Sequence, residues 1–320
     1  MKPHFKLFLL LLAPACLALC ACNIPFFSKT DEKTALPAFN ENQAYQDILD
    51  YEKKGPAVPG TQKSLTTGDW IIERLKASGI TAIEQKTTAE TFDHNVIPVR
   101  NLLGQINPGA KKRILLSAHW DARPFSDEDP DLKFRKTPVP AVNDGGSGVA
   151  ILLGVAQALK GISTPFGVDL LFLDAEDWGT PSNEPSYCLG TQYFAKHPIP
   201  ADYRAEFGIN FDMVGRMGAV FPVEIYSLER AGSVVAKVHA AAKSLGYQDA
   251  FPDFRVGPVV DDHLYLMDGL KFPVMDLIHM TEQGRFPPEW HTHLDTSEFI
   301  SRTTLKVVGQ TTLQVLWNEW

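Results

Sequence analysis

Cysteine is scarce in this chain, and little of it lies where it could staple a fold. Of four cysteines in 320 residues, Cys16, Cys20 and Cys22 fall within the first 22 positions and Cys188 stands alone thereafter. An internal disulfide framework is therefore excluded, and Cys188, between Tyr187 and Leu189, reads as a small buried residue. Positive charge is also short. Thirty Lys and Arg face 38 Asp and Glu, a formal net charge of -8 with pI about 5.6, which argues against a broad electrostatic grip on nucleic acid. Past residue 22 no run is long and apolar enough to span a membrane, and there is no internal repeat or low-complexity tract.

What is present begins with a strongly biased N-terminus. Lys2 and Lys6 precede an apolar stretch, Leu7 to Leu19, of signal-peptide length, followed by Leu19-Cys20-Ala21-Cys22. That run has the form of a lipobox. Residues 1–21 are thus expected to be a lipoprotein signal peptide, with Cys22 taking lipid and holding an exported protein to a cell-envelope membrane. Polar residues 22–40 read as a tether. Residues 41–320 remain as the folded domain.

Within that domain, helical spacing predicts helices over Gln43–Lys54 and Thr66–Ser78. Strand-type runs follow at Val99–Ile106 and Arg113–Ala118, then a helix at Val149–Leu159. Val168–Leu173 is apolar but for Asp169, as expected for a central strand covered on both faces. Further strands are expected at Phe207–Val214, Val223–Leu228 and Pro273–Ile278, with helices at Val234–Leu245 and Thr303–Leu316. This alternation predicts a single α/β domain with a mostly parallel sheet. In such a sheet ligands bind beyond the carboxyl ends of the strands.

Acidic and histidine clusters fall where strands end or helices open. They are His119-Trp120-Asp121, Asn143-Asp144 ahead of Gly145-Gly146-Ser147-Gly148, Asp174-Ala175-Glu176-Asp177-Trp178, Asp212 in Phe211-Asp212-Met213-Val214-Gly215, and Trp290-His291-Thr292 with Asp295 beyond. Any one carboxylate after a strand is most simply a helix cap. Five such clusters in one domain ask for more. Buried carboxylates are costly unless paired or metal-bound, and nitrogen and oxygen donors without cysteine suit zinc. Trp120 and Trp178 flank these clusters and suit either a pocket wall or the core. Asp127-Glu128-Asp129-Pro130-Asp131 lacks the spacing of a calcium loop and reads as a solvated loop near the cleft.

In this order, His-x-Asp, Asn-Asp-Gly-Gly-Ser-Gly, the Glu176-Asp177 pair, Asp-Met-Val-Gly, Asp261-Asp262-His263 and His291-Thr292 resemble the M28 peptidase clan. That clan holds di-zinc aminopeptidases and animal-type glutaminyl-peptide cyclotransferases. The resemblance implies a zinc aminopeptidase-like fold, a central twisted, mixed but mostly parallel sheet flanked by helices. Val58-Pro59-Gly60-Thr61, the Asp261-Asp262-His263 segment and Phe286-Pro287 ahead of Trp290-His291 are most similar to the cyclases. Carried over, Asp144, Asp177 and His291 would hold one Zn2+, and Glu176 would be the general acid/base. Asp212 and Asp261 would form a hydrogen-bonded relay beside it. Trp290, with Trp178 and His119, would contact substrate, a peptide with an N-terminal glutamine. The aminopeptidase alternative needs two zinc ions, with Asp144 bridging and His119 and Asp212 completing the second site. A non-catalytic binding lipoprotein is the third reading. The sequence departs from the family in carrying Glu-Asp where Glu-Glu is common, and in a long interval between His263 and Trp290.

Overall fold

The computed structural model describes residues 1, 3, 4 and 35–320. Most of the expected signal peptide (residues 2 and 5–21), Cys22 and residues 23–34 of the tether lie outside the described residues. One compact unit spans Ala35–Trp320.

That unit starts earlier than the sequence suggested. Residues 36–39 do not behave as a tether: the Phe39 ring is 2% exposed and its amide donates to Gln310 Oε1. Gly154 and Gly309 leave the space it fills, because a Cβ on either would stand within 2.4 Å of the ring. Helices α1 (Glu41–Lys54) and α2 (Gln62–Ala77) follow, capped by the side chains of Asn40 and Thr61.

Strands β1 (Ala82–Glu90), β2 (Val96–Ile106), β3 (Arg113–His119), β4 (Gly167–Leu173), β5 (Phe207–Asp212) and β8 (Val274–Ile278) form a six-stranded sheet in the order β1-β2-β4-β3-β5-β8. The pairs β4·β3, β3·β5 and β5·β8 are parallel; β1·β2 and β2·β4 are antiparallel. A pair of two-residue strands, β6 (Val223–Glu224) and β7 (Arg255–Val256), stands apart from it. Every residue of β3, β4 and β8 is buried, as strands covered on both faces must be. Helix α3 (Gly146–Ala158) packs on β3 and β5 and is itself covered by α1 and α7 (Arg302–Asn318). The short helices α4 (Leu189–Lys196) and α6 (Asp262–Leu270) pack on each other and against β2 and β8 respectively. Gly148 allows the close approach of α3: a Cβ there would sit 2.5 Å from the Phe211 carbonyl oxygen.

The segment expected as a strand at Val223–Leu228 is strand only at Val223–Glu224. The Glu224 carboxylate accepts from the amides of Tyr226 and Ser227 and starts helix α5 (Ile225–Ser244) there. The sequence reading did not find β1, α4 or α6. Strand β1 is a polar edge strand with a single buried side chain, Gln85. Helices α4 and α6 span only 8 and 9 residues, too short for a clear helical period.

Candidate active site

The parallel strands all end at one edge of the sheet, and the polar clusters meet there. His119 closes β3, Asp174, Glu176 and Asp177 follow β4, and Asp212 closes β5. Asp144 lies on the turn into α3, Asp261 caps α6, and His291 comes from the loop beyond β8. The backbone is contorted at this edge. Ala141, Ala175, Cys188, Met213 and His291 all have positive φ, a conformation that side-chain-bearing residues hold only where the surroundings fix it.

The clustered acids divide into two kinds. Asp121, Asp174 and Asp295 cap backbone. Asp121 accepts from the amides of Glu176 (2.9 Å) and Asp177 (3.2 Å), and Asp295 from those of Asn143 (2.8 Å) and Asp144 (3.0 Å). Asp174 accepts from Arg100 and from Ala175. These bonds aim the neighbouring acids, Asp144, Glu176 and Asp177, together with Asp212 and Asp261, into a cavity of about 380 Å3.

Two groups of metal-type donors share Asp144. Asp144, Asp177 and His291 offer atoms within 4.8 Å of one another, with His291 Nε2 3.1 Å from Asp177 Oδ1 and 3.6 Å from Asp144 Oδ2. His119, Asp144 and Asp212 form the other group, with His119 Nε2 3.0 Å from Asp144 Oδ1 and 3.5 Å from Asp212 Oδ1. Asp144 Oδ2, Asp212 Oδ1 and both His119 nitrogens are buried without a hydrogen-bond partner. Orphaned atoms of this kind at a convergent donor set fit a bound cation.

The electrostatics separate the adjacent pair. Burial pushes the Glu176 carboxyl well above its ordinary range, and Asp177, Asp261 and Asp262 add to this against the pull of His119. Burial acts on Asp177 too, but His291 and Arg123 outweigh it and hold that carboxyl below its usual value. Asp177 is thus suited to stay charged and Glu176 to carry a proton. Asp212 is pushed up to about 7 by burial and by Asp144.

The cavity wall is apolar. Trp290 stacks on His291 with ring centroids 3.7 Å apart and meets Phe286 at 4.4 Å; Ile278, Met280 and Val259 complete that side. Trp178 and His119, expected at the substrate, do not line it. Trp178 packs among Val58, Ala122 and Val139 on one side and Ile97 and Val99 on the other. His119 is 2% exposed and lies against Asp144 and Asp212. Trp120 is fully buried core. The expected relay between Asp212 and Asp261 also takes another form. Both line the cavity, but Asp261 is held by Asn210 Nδ2 at 2.8 Å, and Asn210 in turn accepts from Ser117 and donates to Asp276.

Sequence reasoning missed two further groups. The guanidinium of Arg123, 1% exposed, donates to the Asp177 carbonyl and carboxylate. His263, Asp276 and Glu224 form a buried cluster behind Asp261. Arg123 had no motif to mark it, only its place two residues past Asp121. The acidic stretch after it is not simply solvated either, because Asp129 is fully buried.

Comparison with known proteins places this geometry. The model of peptidase family M28 matches residues 101–316. A Zn-dependent exopeptidase from Parabacteroides distasonis superposes with TM-score 0.87 at 40% identity, covering 89% of this chain and 100% of the other. The Bacteroides thetaiotaomicron glutaminyl cyclase bound to N-acetylhistamine superposes with TM-score 0.87 at 39% identity and the same coverage. Among curated sequences, the glutaminyl-peptide cyclotransferase-like protein of Mus musculus is 27% identical over 61% of this chain, a stretch that is 54% of the mouse protein. The chain thus spans about half the length of that relative. With the family match running from β2 to α7, through the strand ends and loops that carry the site, the chain belongs to peptidase family M28.

Proposed function

We propose that this chain is a zinc-dependent glutaminyl-peptide cyclotransferase, which converts the N-terminal glutamine of a peptide to pyroglutamate and releases ammonia. The observation that carries the reading is the Trp290 ring stacked on His291, closing an apolar wall over the Asp144–Asp177–His291 triad opposite Glu176. That pocket suits one glutamine side chain folded back on its own amine. Likeness to glutaminyl cyclases at 39% and 34% identity supports it.

Asp144, Asp177 and His291 would hold the zinc, whose bound form supplies a Lewis acid for the side-chain amide carbonyl. Glu176 accepts a proton from the α-amine as its nitrogen bonds to the amide carbon. The same carboxyl returns that proton to the leaving nitrogen as the carbon–nitrogen bond breaks and ammonia departs. Its raised pKa suits both directions of transfer. Asp177, Asp261 and Asp262 sustain that shift, and Trp290 and Phe286 hold the substrate's aliphatic stem.

The aminopeptidase reading draws on the second donor group, His119 with Asp144 and Asp212, and on the exopeptidase likeness. Elemental analysis separates the two. We expect about one zinc per chain; two per chain would favour the peptidase and bring His119 into the metal shell. We further propose that residues 1–21 export the protein and that lipid on Cys22 anchors it to a cell-envelope membrane. Among the described residues no helix is long and apolar enough to cross a membrane.

A further inference from the structure

His291 is held in an unfavourable backbone conformation, with φ 53°, and its support comes from the acidic loop after β3. Three residues of that loop reach its segment of chain. Asp127 Oδ1 faces His291 Nδ1 at 3.7 Å, the Glu128 amide donates to the His291 carbonyl at 3.3 Å, and buried Asp129 accepts from the His293 amide at 2.9 Å and from its ring. Phe134, later in the same loop, stacks on His293 at 3.7 Å. The loop is joined to a second metal-type donor through one side chain. Arg123 grips both oxygens of Asp127, at 2.7 and 2.6 Å, and with its remaining nitrogen reaches the carbonyl of Asp177 at 2.8 Å and its carboxylate at 3.1 Å.

We propose that Arg123 and Asp127 are positioning residues that set the metal affinity of the triad. Arg123 fixes the Asp177 carboxylate. Asp127 faces Nδ1 of His291, so that Nε2 is the nitrogen turned to Asp144 and Asp177. Ligand imidazoles and carboxylates depend on such outer partners for orientation, and losing one typically weakens metal binding about 10–100-fold. A left-handed non-glycine residue costs about 1–3 kcal/mol, so His291 keeps its aim only while the loop holds it. The inference rests on the metal reading of the triad given above.

The test is zinc affinity, measured on the full chain by competition with a chromogenic chelator. Asp127 is 38% exposed, so Asp127→Ala opens no buried void. We expect it to bind zinc about 10–100-fold more weakly than wild type. Its activity should collapse at limiting zinc yet return to within about threefold of wild type at saturating zinc, which a residue acting on substrate would not allow. Asp131→Asn, on an exposed acid of the same loop paired only to Lys133 and its own turn, should match wild type. Arg123→Met, with folding checked by circular dichroism, should lose at least as much affinity as Asp127→Ala. Zinc binding by Asp127→Ala within about twofold of wild type would overturn the clamp. Wild-type protein that binds no zinc would instead overturn the metal reading on which the clamp stands.

Discussion

Two neighbouring carboxyls in this chain have their acidities shifted in opposite directions. Glu176 is driven towards its neutral form by burial and by the acids around it, while Asp177 is kept charged by His291 and Arg123. The proposed division of labour, proton carrier beside ligand, follows from that difference. Glu176→Gln keeps the shape and the buried position but cannot move a proton. It should lower kcat by about 10²–10⁴-fold while zinc content and the circular dichroism spectrum stay as in wild type. Turnover within about threefold of wild type would remove Glu176 from the mechanism. At this scale the sequence was informative wherever a residue belonged to an ordered motif: Asp144, Glu176, Asp177, Asp212, Asp261, Trp290 and His291 all line the cavity. Trp178 and His119, read as substrate contacts, do not line the cavity; Trp178 packs against Val58 and Val99, and His119 lies against Asp144 and Asp212, where the two-zinc alternative puts it. The sequence reading overlooked Arg123, whose role exists only through partners 4 and 54 positions away in the chain.

At the scale of elements, local signals located the central strands well and the short pieces poorly. The runs Ile114–Ala118 and Val168–Leu173, apolar but for Ser117 and Asp169, form covered strands in the middle of the sheet. Strand β1 and helices α4 and α6 carry no such period; tertiary packing creates them. The start of α5 shows how one side chain decides an element. Glu224 sits in a strand-like stretch but takes two helix amides, and it also accepts from the Val259 amide and faces His263 at 3.5 Å. Burial tends to raise its pKa, but His263 and those amides outweigh it and leave the carboxyl below its ordinary 4.5. A depressed carboxyl stabilises the fold fully above its unfolded value, and that contribution is lost as pH falls through the folded one. Glu224→Gln should therefore cost about 0.5–2 kcal/mol near neutrality, as loss of a good cap does. The gap between the two proteins in urea denaturation should close as pH drops below the ordinary carboxylate range and through the depressed folded value. A gap that stays constant over that range would show that charge on Glu224 contributes nothing.

For the whole molecule, the sheet edge explains why one domain can serve either of two chemistries. The strand ends supply donors for more than one metal arrangement, and Trp290 and Phe286 stand beside them in the wall of the same cavity. Where the enzyme works is a separate proposal, resting on the sequence of the first 22 residues. If Cys22 bears lipid, the full chain should fractionate with membranes when expressed in a bacterial host, and Cys22→Ser should release it in soluble form. A Cys22→Ser protein that stays membrane-bound would contradict the anchor. The central claim is the reaction itself. Zinc-loaded protein incubated with a short peptide beginning in glutamine, followed by mass spectrometry, tests it most directly. We expect the peptide to lose the mass of one ammonia, about 17 Da, with every peptide bond intact. Free glutamine with a peptide one residue shorter would contradict the cyclase and establish an aminopeptidase in its place.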